Sequence, residues 1–208
     1  MSALVSPYLY SRHDDLEPVG QVLAALDRHG LADNTLVVFF SDNGGERFSR
    51  NAPFAKGKAQ LWEGGIRVPC IIRWPSVVPS GKTTTQPAIT MDISATILAA
   101  TQTTPPAGRT LDGENLLPVL CGERPVHDRT FFWRSKTQIA ARKGRWKYIR
   151  DPKGEYLYDL TNDLGETTNL AAKHPDLVRE MKEVIKNWEA DVKEYQWAPG
   201  SRWEKTPP

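Results

Sequence analysis

The stretch LVVFFSDNGGE, residues 36–46, constrains this chain more than any other. Leu36 to Phe40 form an unbroken apolar run, which reads as a strand buried on both faces. The run stops on Ser41, Asp42 and Asn43 and passes at once into Gly44 and Gly45. A strand ending this way sets a carboxylate and an amide at the carboxyl edge of a sheet. In open α/β sheets that edge is where ligands gather. The two glycines allow a sharp turn and a close approach of the backbone to an ion or substrate. Asp-Asn-Gly-Gly is also good turn chemistry in its own right, because Asx side chains bond their own backbone. On these residues alone, a site and a plain turn both stand.

The flanking segments define an α/β fold. Residues 16–29 place Leu16, Val19, Leu23 and Leu26 on one helical face, with Pro18 in the first turn and Gly30 as C-cap. Strand 35–41 follows, then a loop over 43–65 rich in Gly, Asn, Lys and Arg. VPCIIRWP, residues 68–75, reads as a second apolar strand, and MDISATILAATQ as a helix with Thr90 or Asp92 near its N-cap. Helix, strand, strand, helix predicts helices packed on a parallel or mixed sheet.

After about residue 104 the character changes. TTPPAGRTLDGENLLPVLCGERP reads as a connection over the surface. RTFFWRS, TQIAARKGRWKYIR and EYLYDL are short and aromatic, with turn signals at Gly144 and Pro152-Lys153-Gly154, and predict a small antiparallel sheet. Leu177, Val178, Met181, Val184, Ile185, Trp188 and Val192 then form a long helical stripe, and QWAPGSRWEKTPP reads as an irregular tail.

Composition narrows the function classes. Of 208 residues, 39% are hydrophobic and 25% charged, which suits a globular chain. A net charge of +2 argues against nucleic acid or an anionic membrane as partner. No apolar run approaches the roughly 20 residues of a membrane span. The first 15 residues lack a charged segment followed by a long apolar one, so they do not read as a secretory signal. Cys70 and Cys121 are the only cysteines, which rules out a disulfide framework. RKGRWKYIR, residues 142–150, interleaves basic and aromatic side chains as a nucleic-acid or sulfated-glycan surface would. The simpler reading is a hairpin strand, with Trp146 and Tyr148 facing in and Arg145 and Lys147 facing water.

Asp42 and Asn43 offer only hard oxygen ligands, which favour Ca²⁺ or Mg²⁺. Two residues cannot complete a site, because Ca²⁺ takes about 6–8 oxygens. Downstream, FAKGKAQLWEGGIRVP, residues 54–69, contributes Lys56, Lys58, Glu63, Gly64, Gly65 and Arg67. A lysine on a glycine-supported loop near a metal suits an oxyanion such as sulfate or phosphate. An isolated lysine there would equally be part of a solvated basic loop.

In this order the segments resemble the sulfatase family, the arylsulfatase-like branch of the alkaline-phosphatase superfamily. DNTLVVFFSDNGGE followed by GKAQLWEGGIRVPCIIRWP is similar to that family's metal-binding strand end, lysine loop and EGG-x-R-x-P turn. The helices VGQVLAALDRHGLADNT and MDISATILAAT fit as well. GRWKYIR…GEYLYDLTNDLGETTNL is similar to its C-terminal gdwKyi…eLYDL…D…E…NL pattern. The resemblance covers about residues 15 to 190. It implies a partial alkaline-phosphatase-like sheet with flanking helices, plus a small C-terminal antiparallel sheet packed with a long helix. Residues 1–104 would be the C-terminal part of the catalytic α/β domain. Residues 105–208 would be a linker and a small subdomain.

By position, the resemblance makes Asp42 and Asn43 ligands of a divalent metal, usually Ca²⁺ with Mg²⁺ as the alternative. It makes Lys58 the catalytic, substrate-binding lysine that contacts the sulfate group. Lys56 falls where family members often carry a small residue, and Glu63 and Arg67 look structural. The implied substrate is an aryl or carbohydrate sulfate ester. The implied partner is the missing N-terminal half of the enzyme, and family members are commonly exported. Sulfatases attack sulfur with a formylglycine hydrate made from a C/S-x-P/A-x-R motif. Cys70 continues as CIIRW and Cys121 as CGERP, and no serine fits either. His13, His29, His127 and His174 give no substitute for the family's substrate-contacting residues. The chain alone is therefore expected to be inactive, with an exposed apolar sheet edge that makes it poorly stable or oligomeric. A phosphonate monoester hydrolase or phosphodiesterase of the same superfamily is the alternative enzyme. A non-catalytic binding remnant is the alternative outside catalysis.

Overall fold

The computed structural model describes residues 3–4, 13–46, 48–135 and 137–192. The expected irregular tail and the side chain of Leu16 lie outside the described residues.

Helix α1 spans His13–Arg28 and ends in a Schellman closure. The N–H groups of Gly30 and Leu31 donate to the carbonyls of Asp27 and Leu26, and Gly30 takes φ +67°. Pro18 lies inside the helix, not in its first turn. A 3₁₀ turn over Ala32–Asn34 leads into the first sheet. Its strands are β1 (Ala3–Leu4), β2 (Val37–Phe40) and β3 (Cys70–Arg73), in the order β1-β3-β2.

The parallel or mixed pairing predicted for the two apolar strands is corrected here. Strand β2 runs antiparallel to β3, with Val38 opposite Ile72 and Phe40 opposite Cys70. A parallel pair needs a crossover connection, usually a helix. Among the described residues of 41–69 the only helix is the four-residue α2 (Glu63–Ile66), and the stretch returns the chain to the same edge of the sheet.

Helix α3 spans Met91–Ala100. Thr90 makes no side-chain cap bond. Instead the buried Asp92 carboxylate accepts from the Ile89 N–H at 2.7 Å. The same carboxylate accepts the Glu114 N–H at 2.8 Å and takes a two-pronged bond from Arg129, at 2.6 and 2.8 Å. Arg129 Nε also reaches Glu114, at 3.1 Å. This network pins residues 114–129 against α3, while residues 106–112 stay exposed as a surface connection would. The expected surface connection therefore carries a short helix α4 (Leu117–Leu120) and buries Leu116 and Val119.

The second sheet is an antiparallel meander of β4 (Thr130–Arg134), β5 (Ile139–Lys143), β6 (Trp146–Asp151) and β7 (Gly154–Asp159). Helix α5 (Pro175–Asp191) covers one face. Val178, Met181 and Ile185 pack on Ile139, Ala141, Tyr148 and Leu157. Burying each such side chain contributes about 1.5–3 kcal/mol. The other face is covered too: Ala140, Ile149 and Tyr158 pack on Leu61 and Trp62 from the loop before α2.

That two-sided burial corrects the expectation for Lys147. Trp146 and Tyr148 do face the α5 core. Lys147, one residue out of phase, points into the second core and is fully buried instead of facing water. Arg145 stays half-exposed.

Asp92→Ala would strand Arg129, whose side chain is 8% exposed, without its main partner. A loss of about 3–5 kcal/mol is expected in urea unfolding. A loss below about 1 kcal/mol would contradict the assignment of this network as the anchor of residues 114–129.

Candidate functional site

The end of β2 and the lysine loop meet through backbone. Ser41 Oγ donates to the Asn43 carbonyl at 2.8 Å, closing a tight turn directly after the strand. The Gly44 N–H donates to the Gly65 carbonyl, and the Lys58 N–H to the Gly45 carbonyl, both at 2.9 Å. The Gly64 N–H donates to the Ala55 carbonyl at 2.8 Å. Asn51 Nδ2 bridges the Gly45 and Lys56 carbonyls at 3.2 and 2.9 Å. These bonds bring the backbone of the SDNGG turn and of the lysine loop together.

The glycines make this contact possible, but in a different way from the one the sequence suggested. Gly44 and Gly45 do not take positive φ. A Cβ on Gly44 would collide with the Gly64 carbonyl, and one on Gly65 with the Gln60 carbonyl. The close approach they permit is between two stretches of backbone. Strain sits on the neighbours instead: Lys56 and Ala59 adopt φ of 62° and 68°, in the left-handed region.

Asp42 is exposed, and neither its carboxylate nor the Asn43 side-chain amide hydrogen-bonds to another described residue. Two hard-oxygen donors side by side at a strand end fit a Ca²⁺ or Mg²⁺ ion as a partial ligand set. No group of three or more His, Cys, Asp or Glu that could hold a metal occurs among the described residues. Lys58 lies on a groove of about 590 Å³ lined also by Ser49, Asn51, Lys56 and Gln60. Its ammonium pairs with Glu46 at 2.8 Å, with both side chains largely exposed. The Glu46 hydrogen bond and charge raise the Lys58 pKa, and the Asp42 charge adds to the rise. Lys56 lies instead over the Trp62 ring, 5.8 Å from its centroid.

Neither thiol resembles an activated nucleophile. Burial pushes Cys70 up, and burial with the Glu123 charge pushes Cys121 up. A reactive cysteine needs the opposite shift.

Behind the lysine loop lies a cluster that the sequence reading missed in part. Lys147 Nζ sits 2.8 Å from Glu63 Oε1 and 2.9 Å from Glu166 Oε1, with all three side chains at 3% exposure or less. Glu166 Oε2 accepts the Glu63 N–H at 2.6 Å. Arg67 pairs with the second Glu63 oxygen at 3.3 Å. Glu63 and Arg67 thus have the structural place predicted for them. The available signal for Lys147 was its neighbour strand, where Ile139, Ala140 and Ala141 are apolar in succession and all buried. A strand apolar on both faces leaves an adjacent lysine no water to face.

The family model described as Sulfatase matches residues 13–103. A sulfatase of Formosa agariphila is 32% identical over 206 residues, covering 83% of this chain and 37% of the relative. The human N-acetylgalactosamine-6-sulfatase is 39% identical over 137 residues, covering 63% of this chain and 26% of that protein. Among solved structures, Ps i-CgsB in complex with k-i-k-neocarrahexaose superposes with a TM-score of 0.78 at 29% identity. It covers 87% of this chain and 42% of that one. The fold is that of the alkaline-phosphatase-like sulfatases, and the chain belongs to the sulfatase family. It spans between about a quarter and two fifths of the length of these relatives.

Within the buried cluster, Glu63 and Glu166 titrate in opposite directions. Burial pushes Glu63 up, but Lys147, Arg67 and Arg142 together outweigh it and hold the carboxyl below its ordinary 4.5. Burial also pushes Glu166 up. Lys147, shared with Glu63, does not bring it back, and the Glu63 charge adds to the rise. The Glu63 contribution to stability is therefore present above pH 4.5 and lost as pH falls through its lower folded value. Glu166 has the opposite sign: folding favours its protonated form, so its contribution falls as pH rises from 4.5 through its higher folded value. Glu166→Gln is expected to gain stability relative to the parent chain as pH rises from 4.5 to neutrality, read by urea unfolding across pH. Parallel stability curves for the two proteins would contradict the Glu166 assignment.

Proposed function

We propose that this chain is the C-terminal portion of a sulfuric ester hydrolase and carries part of its site. The observation that supports it best is the backbone stitching of the SDNGG strand end to the lysine loop. Through it, Asp42, Asn43 and Lys58 converge although the first and last lie 16 positions apart. Residues 1–104 hold these groups, and residues 105–208 form the linker and the subdomain that supports them.

Asp42 and Asn43 are the residues that would hold a divalent cation, Ca²⁺ by family likeness. Such an ion, when bound, polarises a sulfate oxygen as a Lewis acid. Lys58 supplies three donors and a full positive charge to an oxyanion on the same face. As the S–O bond to the leaving alcohol breaks, that charge offsets the negative charge building on the oxygens. Glu46 gives way when the anion arrives, because an exposed ion pair is weak and exchanges readily with a competing anion. The attacking group belongs to a segment with a C/S-x-P/A-x-R motif, which these 208 residues do not contain. The substrate class is a sulfate ester, aryl or carbohydrate.

The test is aryl sulfate hydrolysis with added Ca²⁺, run on the chain alone and on the chain co-expressed with a family segment bearing that motif. The chain alone is expected to give no turnover above buffer. The complemented protein is expected to turn over, and Lys58→Ala to lower its kcat by about 10²–10³. Clear turnover by the chain alone, or an unchanged rate in the Lys58→Ala protein, would contradict the reading.

A further inference from the structure

We infer that Lys147, a residue of the C-terminal sheet, is a positioning residue that sets where the strand end bearing Asp42–Asn43 and the loop bearing Lys58 sit. The inference rests on the proposed role of those three residues.

The path is continuous. Lys147 Nζ holds the Glu63 side chain at 2.8 Å, while Glu166 Oε2 holds the Glu63 backbone N–H at 2.6 Å. Lys147 also holds Glu166, at 2.9 Å. Glu63 is therefore gripped twice, once through its side chain and once through its peptide, which fixes both the place and the rotation of that residue. It is the first residue of α2, and Gly64 and Gly65 follow directly. The Gly64 N–H bonds Ala55, and the Gly65 carbonyl receives the Gly44 N–H one residue beyond Asn43. On the other branch, the Gly45 carbonyl receives the Lys58 N–H. No flexible side chain intervenes after Glu63, so a displacement of α2 passes directly into backbone that carries the site.

Two further contacts, one from the turn before β5 and one from β7, support the same segment. Gln138 Oε1 accepts the Leu61 N–H at 3.0 Å, and Trp62 Nε1 donates to the Tyr158 hydroxyl at 3.4 Å. Three residues along this path are non-glycine at positive φ: Lys56, Ala59 and Glu166, the last at 52°. Such conformations persist only where the surroundings over-determine them.

Stability alone does not account for the cluster. A buried ion pair is often no better than an apolar pair of the same volume, because desolvation offsets the attraction. What an apolar substitute would lack is direction. A lysine between two carboxylates fixes one arrangement of α2 on the sheet, and a displacement of about 1 Å at a site is enough to impair it.

The test is residue-resolved amide hydrogen exchange on the full chain, comparing the parent, Lys147→Met and Lys143→Met. Lys143 is a half-exposed lysine on the neighbouring strand, paired with Glu180. The quantity read is the exchange rate at Gly44, Lys58 and Gly64 divided by that of the β5–β6–β7 ladder. Lys147→Met is expected to raise this ratio about tenfold, and Lys143→Met to leave it unchanged. A merely structural role speeds loop and ladder by the same factor. An unchanged ratio in Lys147→Met overturns the inference. If Lys147→Met does not fold, Glu166→Gln decides by the same ratio, because it removes the charge yet keeps size and an acceptor for the Glu63 N–H. The readout needs no metal, sulfate or turnover. Its failure therefore leaves the proposed activity standing, and loss of the proposed activity leaves the measured ratio unaffected.

Discussion

A single ammonium, Lys147 Nζ, lies between two carboxylates with no access to water. Its placement follows from a sheet that is covered on both sides. Helix α5 takes one face, and the segment around Leu61 and Trp62 takes the other. A lysine on the second face must be neutralised locally or lose its charge. Glu63 and Glu166 provide that neutralisation, and in doing so they tie α2 to the turn after β7. Because Lys147 is shared while Arg67 serves Glu63 alone, the two carboxylates are not equivalent: one is held ionised and the other is pushed towards protonation.

The remaining geometry is backbone against backbone. Glycines at 44, 45, 57, 64 and 65 leave no room for a side chain where the strand end crosses the lysine loop. Two short motifs far apart in the chain thereby share one set of hydrogen bonds. Asp42, Asn43 and Lys58, the groups proposed to act on the substrate, flank that crossing. Their supports, Glu63, Lys147 and Glu166, lie behind it. The division of labour runs across the two sheets, with the first carrying the polar groups and the second fixing their frame.

Much of this was legible in the sequence. The apolar run ending in Ser-Asp-Asn-Gly-Gly marked β2 and the turn that ends it, the Gly30 closure marked the end of α1, and the stripe from Leu177 to Trp188 marked α5. Only the resemblance to sulfatases, and no local pattern, favoured Lys58 over Lys56. Strand direction was not legible, because a continuous apolar run reads alike in parallel and antiparallel sheets, and only the return path of residues 41–69 decides it. Lys147 was misjudged for a related reason. Alternation predicts which residues share a face, but not whether the second face meets water or another segment. The inward turn of residues 114–129 depends on Asp92 meeting Arg129, 37 positions away, and no local pattern announces such a pair.

The most direct measurement of this arrangement is the ¹⁵N NMR signal of the Lys147 ammonium at neutral pH. A lysine enclosed by two carboxylates and shielded from solvent should give a resolved NH₃⁺ resonance in slow exchange with water, and its shift should respond to Glu63→Gln and to Glu166→Gln. A Lys147 ammonium exchanging as fast as the surface lysines, or insensitive to both substitutions, would contradict the buried cluster and the frame built on it.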